Sequence, residues 1–130
     1  MIRTPRRQIL KLATVLATSA AWPAAAQTTG QTTAFPARPI RLIVPHAAGG
    51  NSDAFGRILA QFLGERVGQQ VVVENKPGAG GTVASGTIAK GTAPDGYTLL
   101  VADNGTHAIA PTLYGAKLSY DVFRDFTPIT

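Results

Sequence analysis

The stretch from residue 39 to residue 57, PIRLIVPHAAGGNSDAFGR, constrains the fold more than any other part of the chain. Ile40, Leu42, Ile43 and Val44 form a short apolar run rich in β-branched residues, which predicts a buried strand. Pro45 ends it, because proline cannot donate to a sheet ladder. Gly49 and Gly50 then open backbone conformations closed to residues with a Cβ. A helix follows, with Asn51 or Ser52 expected as its N-cap and Asp53 complementing the positive end of its dipole. Phe55, Ile58, Leu59, Phe62 and Leu63 recur at helical spacing and are expected to form its buried face, with Asp53, Arg57, Gln61 and Glu65 opposite. Asp53 and Arg57 stand four apart in the favourable order, worth about 0.2–0.5 kcal/mol. A glycine turn running into a helix leaves backbone N–H groups unpaired and aimed at one spot, which suits an anion. The same geometry also serves simply to turn the corner of a strand–helix unit.

The remaining segments repeat this pattern. Val71, Val72 and Val73 predict a second buried strand, followed by the glycine turn KPGAGG and a small-residue helix over 82–90. Gly86 inside that helix costs about 1 kcal/mol relative to alanine, a loss that close packing against the sheet is expected to offset. Ala93-Pro94-Asp95-Gly96 carries proline and glycine where a tight turn wants them. A third strand is expected over 97–102, then a polar loop, DNGTH, opening a short helix that Pro111 limits. Residues 126–130 read as the start of another strand.

Strand, helix, strand, helix, strand is the pattern of an α/β fold with a parallel sheet and right-handed crossovers. Ligands of such sheets bind beyond the carboxyl ends of the strands. All three polar or glycine-rich loops follow strands, so residues 47–53, 76–82 and 103–107 are expected on one edge. Three convergent loops favour a binding cleft over three structural turns.

Ahead of this domain, residues 1–11 are basic, 12–22 moderately apolar, and Ala24-Ala25-Ala26 supplies small residues for cleavage before Gln27. That is the layout of an export signal, and Arg6-Arg7 with Ile9, Leu10 and Lys11 resembles a twin-arginine motif. The apolar run is short of the roughly 20 residues needed to span a bilayer. Residues 27–38 read as a flexible linker. The net charge of +5 misleads, because four of the 12 basic residues and none of the 7 acidic ones lie in 1–26. The exported remainder is about neutral, which removes the case for nucleic acid or an acidic membrane surface. With no cysteine, disulfides, thiolate nucleophiles and Cys-based metal sites are excluded.

Catalytic readings fare poorly. Ser52 with Asp53, His46 or His107 lacks a nucleophile elbow, and two histidines without i,i+4 spacing do not make a metal site. A nucleotide-binding domain is the architectural alternative, but neither glycine loop carries G-x-G-x-x-G or G-K-[ST]. Arg41 and Lys76 could steer anions, though isolated surface charges are usually only solvated.

The motifs PIRLIVP…AGG…D…R, VVVENKPGAGG, APDGYTLL, GTHAIAP and DFTPI, in this order, resemble the tripartite tricarboxylate transporter substrate-binding proteins, often called Bug receptors. The resemblance covers residues 35–130. It implies a non-enzymatic periplasmic receptor with a two-lobed periplasmic-binding-protein (type II) fold. Such a receptor captures a small carboxylate and delivers it to membrane permease subunits, without a cofactor. Carried onto this chain, the ligand loop is His46, Ala47, Ala48, Gly49, Gly50, Asn51, Ser52 and Asp53, gripping a carboxylate through backbone amides and water. Gly78, Gly80, Gly81, Thr82, Thr106 and His107 would add cleft walls. Residues 39–130 would then be the N-terminal part of lobe 1, with the second lobe absent. A chain limited to that part is expected to bind weakly or not at all; a truncated, non-binding remnant is the competing reading. Two departures stand out. His46 replaces an aromatic, typically phenylalanine, making that wall more polar, and Ala84 replaces a common glycine, tightening its helix.

Overall fold

A computed structural model describes residues 34–130; the export signal and residues 27–33 of the expected linker lie outside the described residues. Strand β1 (Ile40–Val44) is the centre of a three-stranded sheet, flanked by β2 (Val71–Asn75) and β3 (Thr98–Leu100) in the order β2-β1-β3. Both pairings are parallel, running from Ile40 opposite Val71 to Val44 opposite Asn75, and from Arg41 opposite Thr98 to Ile43 opposite Leu100. Ile40, Leu42, Ile43 and Val44 are all buried, as a central parallel strand covered on both faces requires. Full burial of side chains such as Leu42 and Ile43 stabilises the fold by about 1.5–3 kcal/mol each. Arg41 is the exception and reaches sideways to Glu74 on β2 through two bonds of 2.6 and 2.7 Å. The second strand, expected to be buried, is a half-exposed edge. The third is shorter than expected, although Arg41 N–H to the Tyr97 carbonyl and Val101 N–H to that of Ile43 extend its ladder.

Helix α1 (Asn51–Val67) forms where expected and ends at Gly68, which takes φ +69° and returns its N–H to the Gly64 carbonyl. Its orientation differs from the sequence reading. Asp53, Gly56 and Ala60 are its buried residues, while Phe55, Ile58 and Phe62 are each more than half exposed. The cause is close approach. A Cβ built on Gly56 would stand 2.7 Å from Val44 Cγ2, so the helix lies on the sheet through its smallest residues. The N-cap is Gly50, not Asn51 or Ser52, and no side chain caps the first turn.

Helix α2 (Thr82–Gly91) is preceded by a 3-10 turn over Ala79–Gly81. Ala84, Ser85 and Gly86 face inward. Gly86 packs against Ser119 and Tyr120 rather than against the sheet as expected. After β3 the chain enters a π-helical turn (Gly105–Ile109) and continues as α3 (Ala110–Tyr114). Pro111 sits inside the first turn of α3 and does not end it, since proline's missing N–H is tolerated there. The π turn gives the Ala110 N–H to Gly105, which leaves Thr106 facing a proline where its next donor would be. The Tyr120 hydroxyl supplies that donor, at 2.6 Å from the Thr106 carbonyl. Residues 126–130 form no strand; the Phe126 ring instead packs on His107 and Tyr120 at 5.0 and 5.8 Å between centroids.

Residues 34–38, the described part of the expected linker, are tied down at the amino end of the sheet. Phe35 stacks edge-on against Tyr97 at 4.9 Å, the Tyr97 hydroxyl accepts from Ala37 N–H, and Arg38 pairs with Asp95 at 2.7 Å.

Candidate functional site

Because the three strands are parallel, their following loops share the carboxyl edge of the sheet, and hydrogen bonds join them there. The ends of loop 47–53 are held from β2. The Asn75 amide nitrogen donates to the His46 carbonyl at 3.1 Å and to Asp53 Oδ1 at 3.0 Å. The other Asp53 oxygen accepts from Gly49 N–H at 2.8 Å and from Arg57 Nε at 3.0 Å. Asp53 is nearly buried at 4% exposure. The i,i+4 pair read from the sequence therefore forms, and the same carboxylate also closes the loop back on itself.

Loop 103–107 joins from the other flank. His46 Nε2 lies 2.5 Å from Asp103 Oδ2. Asp103 Oδ1 accepts from Thr106 N–H at 2.8 Å, and the Thr106 hydroxyl lies 2.8 Å from His107 Nδ1. Neither histidine engages Ser52 in these contacts. The second loop closes the group from above α2. Gly81 takes φ +89°, and a Cβ there would meet Thr106 and Pro45 at 2.6 and 3.0 Å. Gly78 and Gly80 also have positive φ, while Thr82 returns its hydroxyl to the Ala79 carbonyl.

Ala47, Ala48, Gly49, Gly50 and Asn51 are exposed along this edge and Ser52 is half-buried. The N–H groups of Asn51, Ser52 and Asp53 open α1 without intrahelical partners, and no side chain caps them. Arg41 is committed to Glu74 and Arg38 to Asp95. A concavity of about 210 Å³ near those arginines lies toward the amino end of the sheet and offers no free guanidinium.

Hydrogen bonds from Arg57, Gly49 N–H and Asn75 hold the Asp53 carboxyl down at about 2. Burial works against the charge of Asp103, but His46 and the N–H and hydroxyl of Thr106 outweigh it and keep that carboxyl below its usual range. Burial also lowers His107, with Asp103 offsetting part of the effect. All three shifts have one sign. Each group binds protons more weakly folded than unfolded, so stability falls as pH falls. The His107 contribution should decline below about pH 6.5. That of Asp53 is complete above about pH 4 and lost as pH drops through about 2. Urea unfolding across pH 2–8 should show both steps, and Asp53→Asn should shrink the acidic one, leaving the part that belongs to Asp103.

Asn75, Asp103 and Tyr120 were not picked out from the sequence as site residues. The available signal for the first two was positional: a polar residue closes each apolar strand run, His46 after Pro45, Asn75 at the end of β2 and Asp103 shortly after β3.

Residues 55–130 match the family described as tripartite tricarboxylate transporter family receptor. The chain is 38% identical over 96 residues to protein BugT of Bordetella pertussis, covering 74% of this chain and 29% of that protein. Among solved structures it resembles MatC of Rhodopseudomonas palustris with bound malate at TM-score 0.68 and 42% identity, covering 73% of this chain and 32% of that one. An R. palustris protein solved with adipate gives TM-score 0.68 at 37% identity, over 73% of this chain and 31% of that one. The chain spans 29% of the length of the first curated relatives that it matches.

Proposed function

This chain belongs to the tripartite tricarboxylate transporter receptor family, and from that membership we propose that it is the N-terminal part of lobe 1 of a periplasmic receptor for a small carboxylate. The observation that carries the reading is the uncapped first turn of α1, opening onto an edge where three loops converge. A helix N-terminus carries about half a positive charge, and its N–H groups form charge-assisted bonds to a carboxylate. In this reading residues 47–52, apart from Gly49, whose N–H is already held by Asp53, grip one end of the ligand through backbone amides. Gly78, Gly80, Gly81, Thr82, Thr106 and His107 wall the cleft, and His46 makes the wall polar. Asp53 orients the loop rather than meeting the anion, since its carboxylate is already engaged by three donors. A second lobe would supply the other half of the cleft. Export with cleavage after Ala26 and delivery to permease subunits complete the proposal. The relatives solved with malate and adipate favour a dicarboxylate.

Titrating the ¹⁵N-labelled chain with malate tests it. Amides of residues 47–53 should shift at millimolar ligand while those of β1 stay still. Gly50→Leu should abolish the response without unfolding the chain, because Gly50 has φ −85° and a Cβ there would find only the Ala47 oxygen at 3.5 Å. An identical response in the variant, or none in a receptor completed with its second lobe, would sink the proposal.

A further inference from the structure

Loop 47–53 has few anchors of its own. Residues 47–51 are exposed and include two glycines and two alanines, and the first helical turn has no side-chain cap. Yet its two ends meet at one atom outside it. The Asn75 amide nitrogen uses both hydrogens, one on the backbone carbonyl of His46 and one on the carboxylate of Asp53. Those acceptors are seven residues apart in sequence and bracket every amide assigned to the ligand. Asp53 then passes the constraint inward, through Gly49 N–H, to the middle of the loop.

We propose that Asn75 is a positioning residue that sets the shape of the anion loop by clamping its two ends to β2. Only a side chain with two donors on one nitrogen makes this clamp. Serine and threonine have one hydrogen and aspartate, ionised, has none; the donors of lysine sit on a longer stem. Asn75 is also well placed to hold still. It is the last residue of β2, paired in register with Val44, and the next residue, Lys76, donates its N–H to the Val44 carbonyl. The clamp therefore refers the loop to the most buried strand of the molecule. The part of the inference that concerns ligand rests on the carboxylate-receptor reading above; the clamp itself does not.

Asn75→Asp keeps the shape and removes both donors, setting a carboxylate beside that of Asp53. Amide exchange and carboxyl ¹³C titration of the whole chain would read the result without ligand. Gly49 N–H should exchange about tenfold faster or more, the scale of losing a bond supported by a charged group. The Asp53 carboxyl should titrate above its wild-type value of about 2, while β1 amides keep their protection. Asn75→Ala, which adds no charge, should do the same, and serves if the first variant does not fold. Unchanged Gly49 exchange together with unchanged Asp53 titration in the folded variant would overturn the proposal. A malate titration separates the two readings. A wild-type loop indifferent to malate, but loosened in the variant, would leave the clamp standing and remove the ligand from it.

Discussion

Gly56→Leu is expected to cost about 3 kcal/mol of unfolding free energy, in the upper part of the range for overpacked cores. Helix propensity alone predicts the opposite sign, because leucine is better than glycine in a helix interior by about 0.8 kcal/mol. Sterics decide it. The new Cβ would sit 2.7 Å from Val44 Cγ2, with Val101 and Val73 methyls at 3.9 and 4.0 Å behind it. Val44 is fully buried in the central strand and has nowhere to move. Relief must come from lifting α1 off the sheet, which also drags Asp53, one turn earlier, away from Asn75. The check is a urea unfolding midpoint with unchanged slope, the signature of altered stability rather than altered compactness. Phe62→Ser should change stability by less than about 0.5 kcal/mol, because Phe62 is 62% exposed. If the two variants exchanged roles, α1 would be packing through its large apolar residues after all.

That contrast shows how much of the fold is legible in the residues. The strand–turn–helix succession and the parallel edge follow from apolar runs and glycines, and the structure has them. The inward face of α1 does not follow, since periodicity reports which residues are apolar and not how closely two backbones approach. At Gly56 the close approach wins, and Phe55, Ile58 and Phe62 are left outside on the described residues. Pro111 was expected to limit its helix for a sound local reason, yet its position in the first turn makes it harmless and hands the Thr106 carbonyl to Tyr120. Long-range partners of this kind have no spacing to read. Gly86 is the same case: its smallness is visible, but its partner, Ser119, lies 33 positions on in sequence.

The candidate site was readable as an edge and unreadable as a network. Glycines and polar residues after three strands are enough to put loops 47–53, 76–82 and 103–107 together. What the side chains do there depends on distances of about 3 Å across separate loops. Asp53 looks from the sequence like a helix-dipole partner and a member of the ligand loop. In the structure it accepts from Gly49, Arg57 and Asn75 and has become part of the loop's frame. His46 looks like a free wall residue and is paired with Asp103.

Gly81→Ala should show the convergence of the loops as a free-energy difference from its neighbour. Gly80 has φ +62° and nothing within 4 Å of a built Cβ, so Gly80→Ala carries backbone strain alone, roughly 1–2 kcal/mol. Gly81 has φ +89° and adds contacts of 2.6 Å to the Thr106 methyl and 3.0 Å to Pro45. Thr106 and Pro45 are both fully buried, so neither can step aside. Overpacking of this kind adds about 1–3 kcal/mol, bringing the expected total to roughly 3 kcal/mol or more. Paired urea midpoints measure the excess directly, and the backbone strain largely cancels between the two variants. What remains belongs to the close approach of Gly81 to Pro45, at the head of the first loop, and to Thr106, in the third. An excess with perturbed amides in both outer loops would show that the middle loop wedges between them and sets their spacing. Equal costs for the two substitutions would mean that the loops do not meet at Gly81, and the carboxyl edge would then be three neighbouring turns rather than one preorganised surface.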